Sequence, residues 1–254
     1  YVNSNIKICT QWKKDLNLHE EDVFRTQKFD MDLSVFAIIG FPVVVSLLAV
    51  RWVYFKILKI AKEKNLVDNP DARKLQKVPV PVVGGLAVFF GLLFGLLCGI
   101  TMMNLFADDI GMLSGIVSVN RLLPIVLGMS IMLYVGCMDD IMGLSPKARF
   151  LIEILVILGL IYSSGISVDS LHGLWGIDEI PSVVAVPLTI FAGVGIINAI
   201  NMVDGVNGLS SGLCITCSML FGLQFFCIGD YVNAVLAFSI ASSLFLFFIH
   251  NVFG

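Results

Sequence analysis

A chain of 254 residues that is 57% hydrophobic and 14% charged is poor in charge beside the roughly 25% of an ordinary soluble domain. Its net charge of −3 gives no basic character of the kind nucleic acid requires. Composition therefore excludes a soluble nucleic-acid-binding domain and points to lipid as the solvent.

In chain order, the first thirty residues are polar and mixed in charge, without the pattern of a secretory signal. Residues 1–30 read as a polar extension ahead of the domain proper, 31–254, and Met31-Asp32-Leu33-Ser34-Val35-Phe36 resembles a natural start. A membrane-crossing helix needs about 20 mostly apolar residues. On that basis the chain is expected to be an all-α, polytopic membrane protein with about seven transmembrane helices, at 33–55, 86–106, 121–138, 149–164, 183–200, 209–228 and 232–250. The fourth contains Glu153, expected to face other helices or to lie near the membrane surface. Glycines recur inside several spans, as in packed membrane helices. The pair Cys214-x-x-Cys217 lacks a second Cys pair or a nearby His. With the other four cysteines it reads as small apolar packing rather than metal or redox chemistry.

Lys and Arg concentrate in cytoplasmic loops. The loop after the first span carries Lys56, Lys59, Lys62, Lys64, Arg73, Lys74 and Lys77, and that after the third carries Lys147 and Arg149. The opposite side has only Arg121, at a span edge. The loops after spans one, three and five are therefore expected on the cytoplasmic side.

Those loops hold the polar motifs. The first reads Asp68-Asn69-Pro70-Asp71-Ala72-Arg73-Lys74, then Pro81-Val82-Val83-Gly84-Gly85. Arg73, Lys74 and Lys77 can attract anionic headgroups or phosphates. The glycine pair serves either helix packing or close approach of backbone to a ligand. The second begins Asp139-Asp140 and continues Gly143-Leu144-Ser145-Pro146-Lys147. Ionisable groups at membrane depth are functional candidates. Paired carboxylates suit Mg²⁺, and Lys147 can hold an anionic substrate. Asp108-Asp109, on the other side, has no such company. The third is the densest: Asn198-Ala199-Ile200-Asn201-Met202-Val203-Asp204-Gly205-Val206-Asn207-Gly208-Leu209-Ser210. A helix cap at Asn207 or Ser210 would still leave Asn198, Asn201 and Asp204 without a role.

With these motifs in order, the chain resembles the polyprenyl-phosphate N-acetylhexosamine-1-phosphate transferases over about residues 33 to 254. The resemblance rests on Asp71-Ala72-Arg73-Lys74 with Pro81 to Gly85, on Asp139-Asp140 with Gly143 to Lys147, and on Asn201 to Leu209. It implies transfer of a sugar 1-phosphate from a UDP-sugar to undecaprenyl phosphate, with release of UMP, in the bacterial inner membrane. By the same resemblance Asp139, Asp140 and Asp204 are the catalytic and metal-binding residues, for Mg²⁺ or Mn²⁺. Arg73, Lys74, Lys77, Lys147, Asn198, Asn201 and Asn207 are the substrate-binding candidates. The expected partners are undecaprenyl phosphate, a UDP-sugar and membrane lipid, with a homodimer also considered and no nucleic acid.

Gln76 stands where many members have His, and Asn207 where others have a second Asp. Members continue through a further Asp motif and a His-containing loop. The expectation is thus a domain incomplete at its C-terminus, with little turnover from 31–254 alone. The first loop and the Asp139-to-Lys147 spacing look more like the N-acetylglucosamine-1-phosphate branch. The alternatives are the phospho-muramoyl-pentapeptide branch and a non-catalytic lipid-phosphate binder or transporter. Transporters place their charges near the midplane and often show repeats. Here the polar clusters lie at one surface and no repeat is seen, which favours an enzyme.

Overall fold

Long apolar runs fold as helices in lipid because only a helix or a closed barrel satisfies every backbone polar group. The computed structural model describes residues 33–63, 67–68, 80–81, 84–106, 115–204 and 206–253. The helices are α1 (Leu33–Glu63), α2 (Gly84–Leu105), α3 (Gly115–Met142), α4 (Pro146–Ser164), α5 (Ser182–Val203), α6 (Leu209–Cys227) and α7 (Tyr231–Phe253). Between α1 and α2 a two-residue antiparallel ladder pairs β1 (Val67–Asp68) with β2 (Val80–Pro81), Val67 opposite Pro81. Residues 37–254 form one unit; of residues 1–36 only the first turn of α1 is described.

All seven expected spans are helices, and six of them are long and apolar enough to cross a membrane. The seventh, α4, carries Lys147, Arg149 and Glu153 in its 19 residues. The largest corrections fall at helix ends. The basic segment Lys56 to Lys62, expected as loop, continues α1 as far as Glu63. Asp139 and Asp140, expected to open a loop, lie in the last turns of α3, and Asn198 and Asn201 in those of α5. A polar side chain at a membrane surface does not end a helix. Gly143 does: its φ of +68° is the left-handed turn that closes α3, and its N–H returns to the Asp139 carbonyl at 2.8 Å.

The helices pack in two groups. In one, α2 and α6 lie along α7, with α1 joined to them through small residues. Gly91, Gly95 and Gly99 form one stripe of α2. A Cβ on Gly95 would stand 2.8 Å from Ser239 Oγ and 3.0 Å from Ser46 Cβ, so α1, α2 and α7 meet at backbone distance. Ser46 Oγ donates to the Ser239 carbonyl at 3.2 Å. In the other group α4 lies between α3 and α5, around Ile157, Ile161 and Val194. Large apolar side chains such as Trp52, Tyr162 and Phe191 are turned outward, as lipid allows.

The alternation of directions brings the C-terminal ends of α1, α3, α5 and α7 together with the N-terminal ends of α2, α4 and α6. Contacts at that end include Tyr54 stacked on His250 with ring centres 4.8 Å apart, Gly84 against Phe247, and the Gly208 N–H donating to Asn251 Oδ1 at 2.9 Å. Gly84 opens α2 with the Phe247 ring where a Cβ would be, so it serves packing. At the far end a hairpin-like loop between α4 and α5 is tied by Leu171 N–H to Asp178 O at 3.0 Å and Ile180 N–H to Asp169 O at 2.8 Å.

Candidate active site

Where the two groups face each other, α3 to α7 enclose a cleft of about 420 Å³. Its polar wall includes Asp139, Asp140, Arg149, Glu153, Asn201, Asp204 and Ser210. Its apolar wall includes Met132, Val135, Ile197, Leu244 and Phe247. The second and third motifs, two spans apart in sequence, thus line one cavity at one end of the bundle.

Local folding aims each side chain. Ser145 caps α4, its hydroxyl accepting the Ala148 N–H at 3.3 Å, and Pro146 stands at the first helical position, where a missing N–H does no harm. The tight turn sets the start of α4 beside the end of α3. Asp139 Oδ1 accepts the Leu144 N–H at 2.9 Å and Oδ2 accepts Arg149 Nη1 at 3.2 Å. Asp140, the next residue, is exposed on the cleft.

Behind Arg149 lies Glu153, one turn on and only 1% exposed. A buried carboxylate is tolerated in a membrane helix only with partners. Its Oε1 pairs with Arg149 Nε at 3.6 Å, and its Oε2 accepts Asn198 Nδ2 at 2.5 Å. Asn198 Oδ1 in turn accepts Arg149 Nη2 at 3.4 Å. The guanidinium is therefore held from α3, α4 and α5 at once.

On the opposite lip Asp204 caps the end of α5, its N–H bonded to the Ile200 carbonyl at 3.0 Å. Its Oδ1 accepts the hydroxyl of Ser210, which is buried in the first turn of α6. The cap of α6 is Gly208 at φ +76°, with no side-chain bond, so neither Asn207 nor Ser210 is the cap expected from sequence. A Cβ on Gly208 would overlap Val252 and Phe248, which explains glycine at this turn.

Of the candidates named from sequence, Asp139, Asp140, Asn201 and Asp204 line the cleft. Asn198 lies behind Arg149 in the network. Lys147 is exposed at the start of α4 and Asn207 is exposed in the turn, and neither is among the lining residues. Arg73, Lys74 and Lys77 lie outside the described residues, as do Asp108 and Asp109. Sequence reasoning missed Arg149 as a site residue, and with it Glu153 and Ser210. The signal available was the Arg149–Glu153 spacing of four, which stacks opposite charges on one helix face. Cys98, Cys137, Cys214, Cys217 and Cys227 are free thiols, with Cys217 and Cys227 exposed.

Among the described residues, four carboxylates and one guanidinium line the cleft, a formal surplus of three negative charges. Among the same residues no three His, Cys, Asp or Glu side chains converge closely enough to cage an ion. Mg²⁺ usually takes only one or two carboxylates and fills its shell with water and substrate phosphate. The hard oxygens of Asp140 and Asp204, with Asn201 nearby, fit such an ion shared with a bound phosphate.

Comparison with known proteins agrees with the motifs. The family model described as Glycosyl transferase family 4 matches residues 122–254. The chain belongs to glycosyl transferase family 4. A Bacillus subtilis (strain 168) relative named as a probable undecaprenyl-phosphate N-acetylglucosaminyl 1-phosphate transferase is 36% identical over 174 residues, 68% of this chain and 44% of that protein. Relatives named undecaprenyl-phosphate alpha-N-acetylglucosaminyl 1-phosphate transferase are 28% identical over 202 residues in Yersinia pestis and 27% over 199 residues in Escherichia coli K12. These alignments cover 78% and 76% of this chain, and 50% and 49% of the relatives. The chain thus spans about half the length of the curated relatives it matches.

Proposed function

We propose that this protein transfers N-acetylglucosamine 1-phosphate from a UDP-sugar to undecaprenyl phosphate, with release of UMP, at the cytoplasmic face of a bacterial inner membrane. The product would open the synthesis of a cell-envelope polysaccharide. The observation that carries the proposal is the cleft itself. It sets Asp139, Asp140 and Asp204 around one cavity at the end of an apolar helix bundle, with an apolar wall opposite. A lipid phosphate and a water-soluble nucleotide sugar can meet only at such a boundary. The relatives' names supply the acceptor and the sugar. The basic residues Lys56, Lys59 and Lys147, at the cleft's end of the bundle, support the cytoplasmic orientation.

Phosphoryl transfer depends on placing the reacting groups and neutralising charge at phosphorus. Asp140 and Asp204, with Asp139 beside them, would hold a Mg²⁺ or Mn²⁺. That ion would supply the positive charge a pyrophosphate needs in a cleft of surplus negative charge. Arg149, the one cation lining the cleft among the described residues, lies beside Asp139, where it screens that carboxylate. Ser210 fixes the rotamer of Asp204 from behind. The apolar wall excludes water, which would otherwise compete with the lipid phosphate as acceptor.

The test is UMP release from a UDP-sugar by membranes carrying the full gene product, with undecaprenyl phosphate added. Release is expected only with Mg²⁺ or Mn²⁺. Asp140→Asn and Asp204→Asn are each expected to lower turnover by about 10²-fold, as for other groups that offset charge at a reacting centre. Wild-type turnover in either variant would sink the site assignment.

A further inference from the structure

Glu153 is the most deeply buried charged side chain among the described residues, and the chemistry proposed above does not use it. It sits on the second turn of α4, where leucine or isoleucine would be the ordinary choice for a helix in lipid. Its surroundings account for every polar atom. One oxygen faces Arg149 Nε at 3.6 Å, and the other accepts Asn198 Nδ2 at 2.5 Å. Asn198 completes the ring by accepting Arg149 Nη2 at 3.4 Å, and its Nδ2 also reaches the Val194 carbonyl at 2.9 Å. The three nitrogens of Arg149 thus face three partners on three helices: Nε lies in an ion pair with Glu153 on α4, and Nη2 and Nη1 donate to Asn198 on α5 and Asp139 on α3.

This closure constrains Asp139 in two ways. The guanidinium is not turned wholly onto Asp139, because Glu153 faces its Nε and Asn198 accepts from its Nη2. Asp139 is therefore screened on one oxygen and not neutralised by a bidentate pair. Its other oxygen is fixed by the Leu144 N–H, so its position is defined as well as its charge.

We propose that Glu153, with Asn198, is a positioning residue of the cleft: acting through Arg149, it fixes the Asp139 carboxylate and limits how far the guanidinium neutralises it. The inference rests on the function proposed above for its turnover readout. The carboxylate and the amide share one guanidinium from neighbouring helices, so their chemistry can be exchanged. In E153Q the negative charge is lost. In N198D a second one is added. In the double variant E153Q/N198D, the amide now on α4 accepts Arg149 Nε and donates to the carboxylate now on α5, which accepts Arg149 Nη2. The contacts to Arg149 and the net charge are then both restored, while the bond from position 198 to the Val194 carbonyl is lost.

The experiment compares wild type, the two single variants and the swap, as full gene product in the UMP assay, with Mn²⁺ affinity of the purified proteins read by electron paramagnetic resonance. Outer partners of a site typically contribute 10- to 100-fold. Each single variant is expected to lose about tenfold or more in kcat and in Mn²⁺ affinity, with KM for the UDP-sugar within about twofold, and the swap to recover most of both. A single variant with wild-type kcat and Mn²⁺ affinity overturns the proposal. So does a swap that regains melting temperature but neither kcat nor Mn²⁺ affinity, which would mark the network as structural only. If wild type binds Mn²⁺ but releases no UMP, the proposed function fails, and the swap is judged on Mn²⁺ affinity alone. Wild type that binds no Mn²⁺ overturns both.

Discussion

The α1–α2–α7 junction and the α3–α4–α5 group meet the same difficulty, polar atoms in lipid, with opposite chemistry. The first removes side chains. Gly91, Gly95 and Gly99 let backbones touch, and the Ser46 hydroxyl is satisfied by the carbonyl of Ser239. The second adds charge and then closes it. Asp139, Arg149, Glu153 and Asn198 satisfy one another across three helices. Close packing of small residues tolerates no added volume but carries little electrostatic risk. A charged ring tolerates some change of shape, but fails when one member is removed. The cleft lies between the two groups and takes its reactive groups mainly from the second.

Three substitutions would separate the two regions. Arg149→Ala leaves Glu153 buried without its cation, and removing one partner of a buried pair costs about 3 kcal/mol or more. It should lower both the melting temperature in detergent and the turnover of what remains folded. An unchanged melting temperature would show that Glu153 is not held as an ion pair. Gly95→Leu inserts a side chain where a Cβ already meets Ser46 and Ser239. Overpacking of this kind costs about 2 kcal/mol. Here the folded fraction should keep its specific activity, since Gly95 is remote from the charged ring. Loss of turnover at full stability would merge the two regions into one. Ser46→Ala removes one hydrogen bond to a carbonyl, worth about 0.6 kcal/mol between membrane helices. A loss several times larger, read from the same melting curves, would mean that the hydroxyl does more than satisfy Ser239.

Much of the fold was legible because lipid makes it so. Seven apolar runs are seven helices, and their order fixes which ends meet. Helix ends were harder. Polar residues such as Asp139 and Asn201 look like loop in a hydropathy profile, yet α3 continues to the left-handed turn at Gly143 and α5 continues to Val203, where Asp204 closes it. Within the site, Asp139, Asp140 and Asp204 could be named from their motifs. Arg149 was passed over for Lys147, two residues away, although only Arg149 has a carboxylate four residues on. At 3.6 residues per turn those two lie on nearly opposite sides of α4, and only the packing of α4 against α3 and α5 decides which one enters the cleft. Asn198 looked like a substrate ligand for the same reason. Its partner is 45 positions away in sequence and becomes a neighbour only when α5 docks on α4.

The bond from the Gly208 N–H to Asn251 joins residues 43 positions apart, across the whole α6–α7 hairpin. The turn between those helices, Ile228–Gly229–Asp230, is short, with Asp230 bonding the Asn233 N–H at 3.2 Å at the start of α7. During biosynthesis that clasp has no partner until α7 has crossed the bilayer and brought Asn251 back to the starting side. The loop after Asp204 therefore takes its final shape late in insertion. A nascent chain halted before α7 would already display the acidic residues, but without the anchor that holds this loop in place.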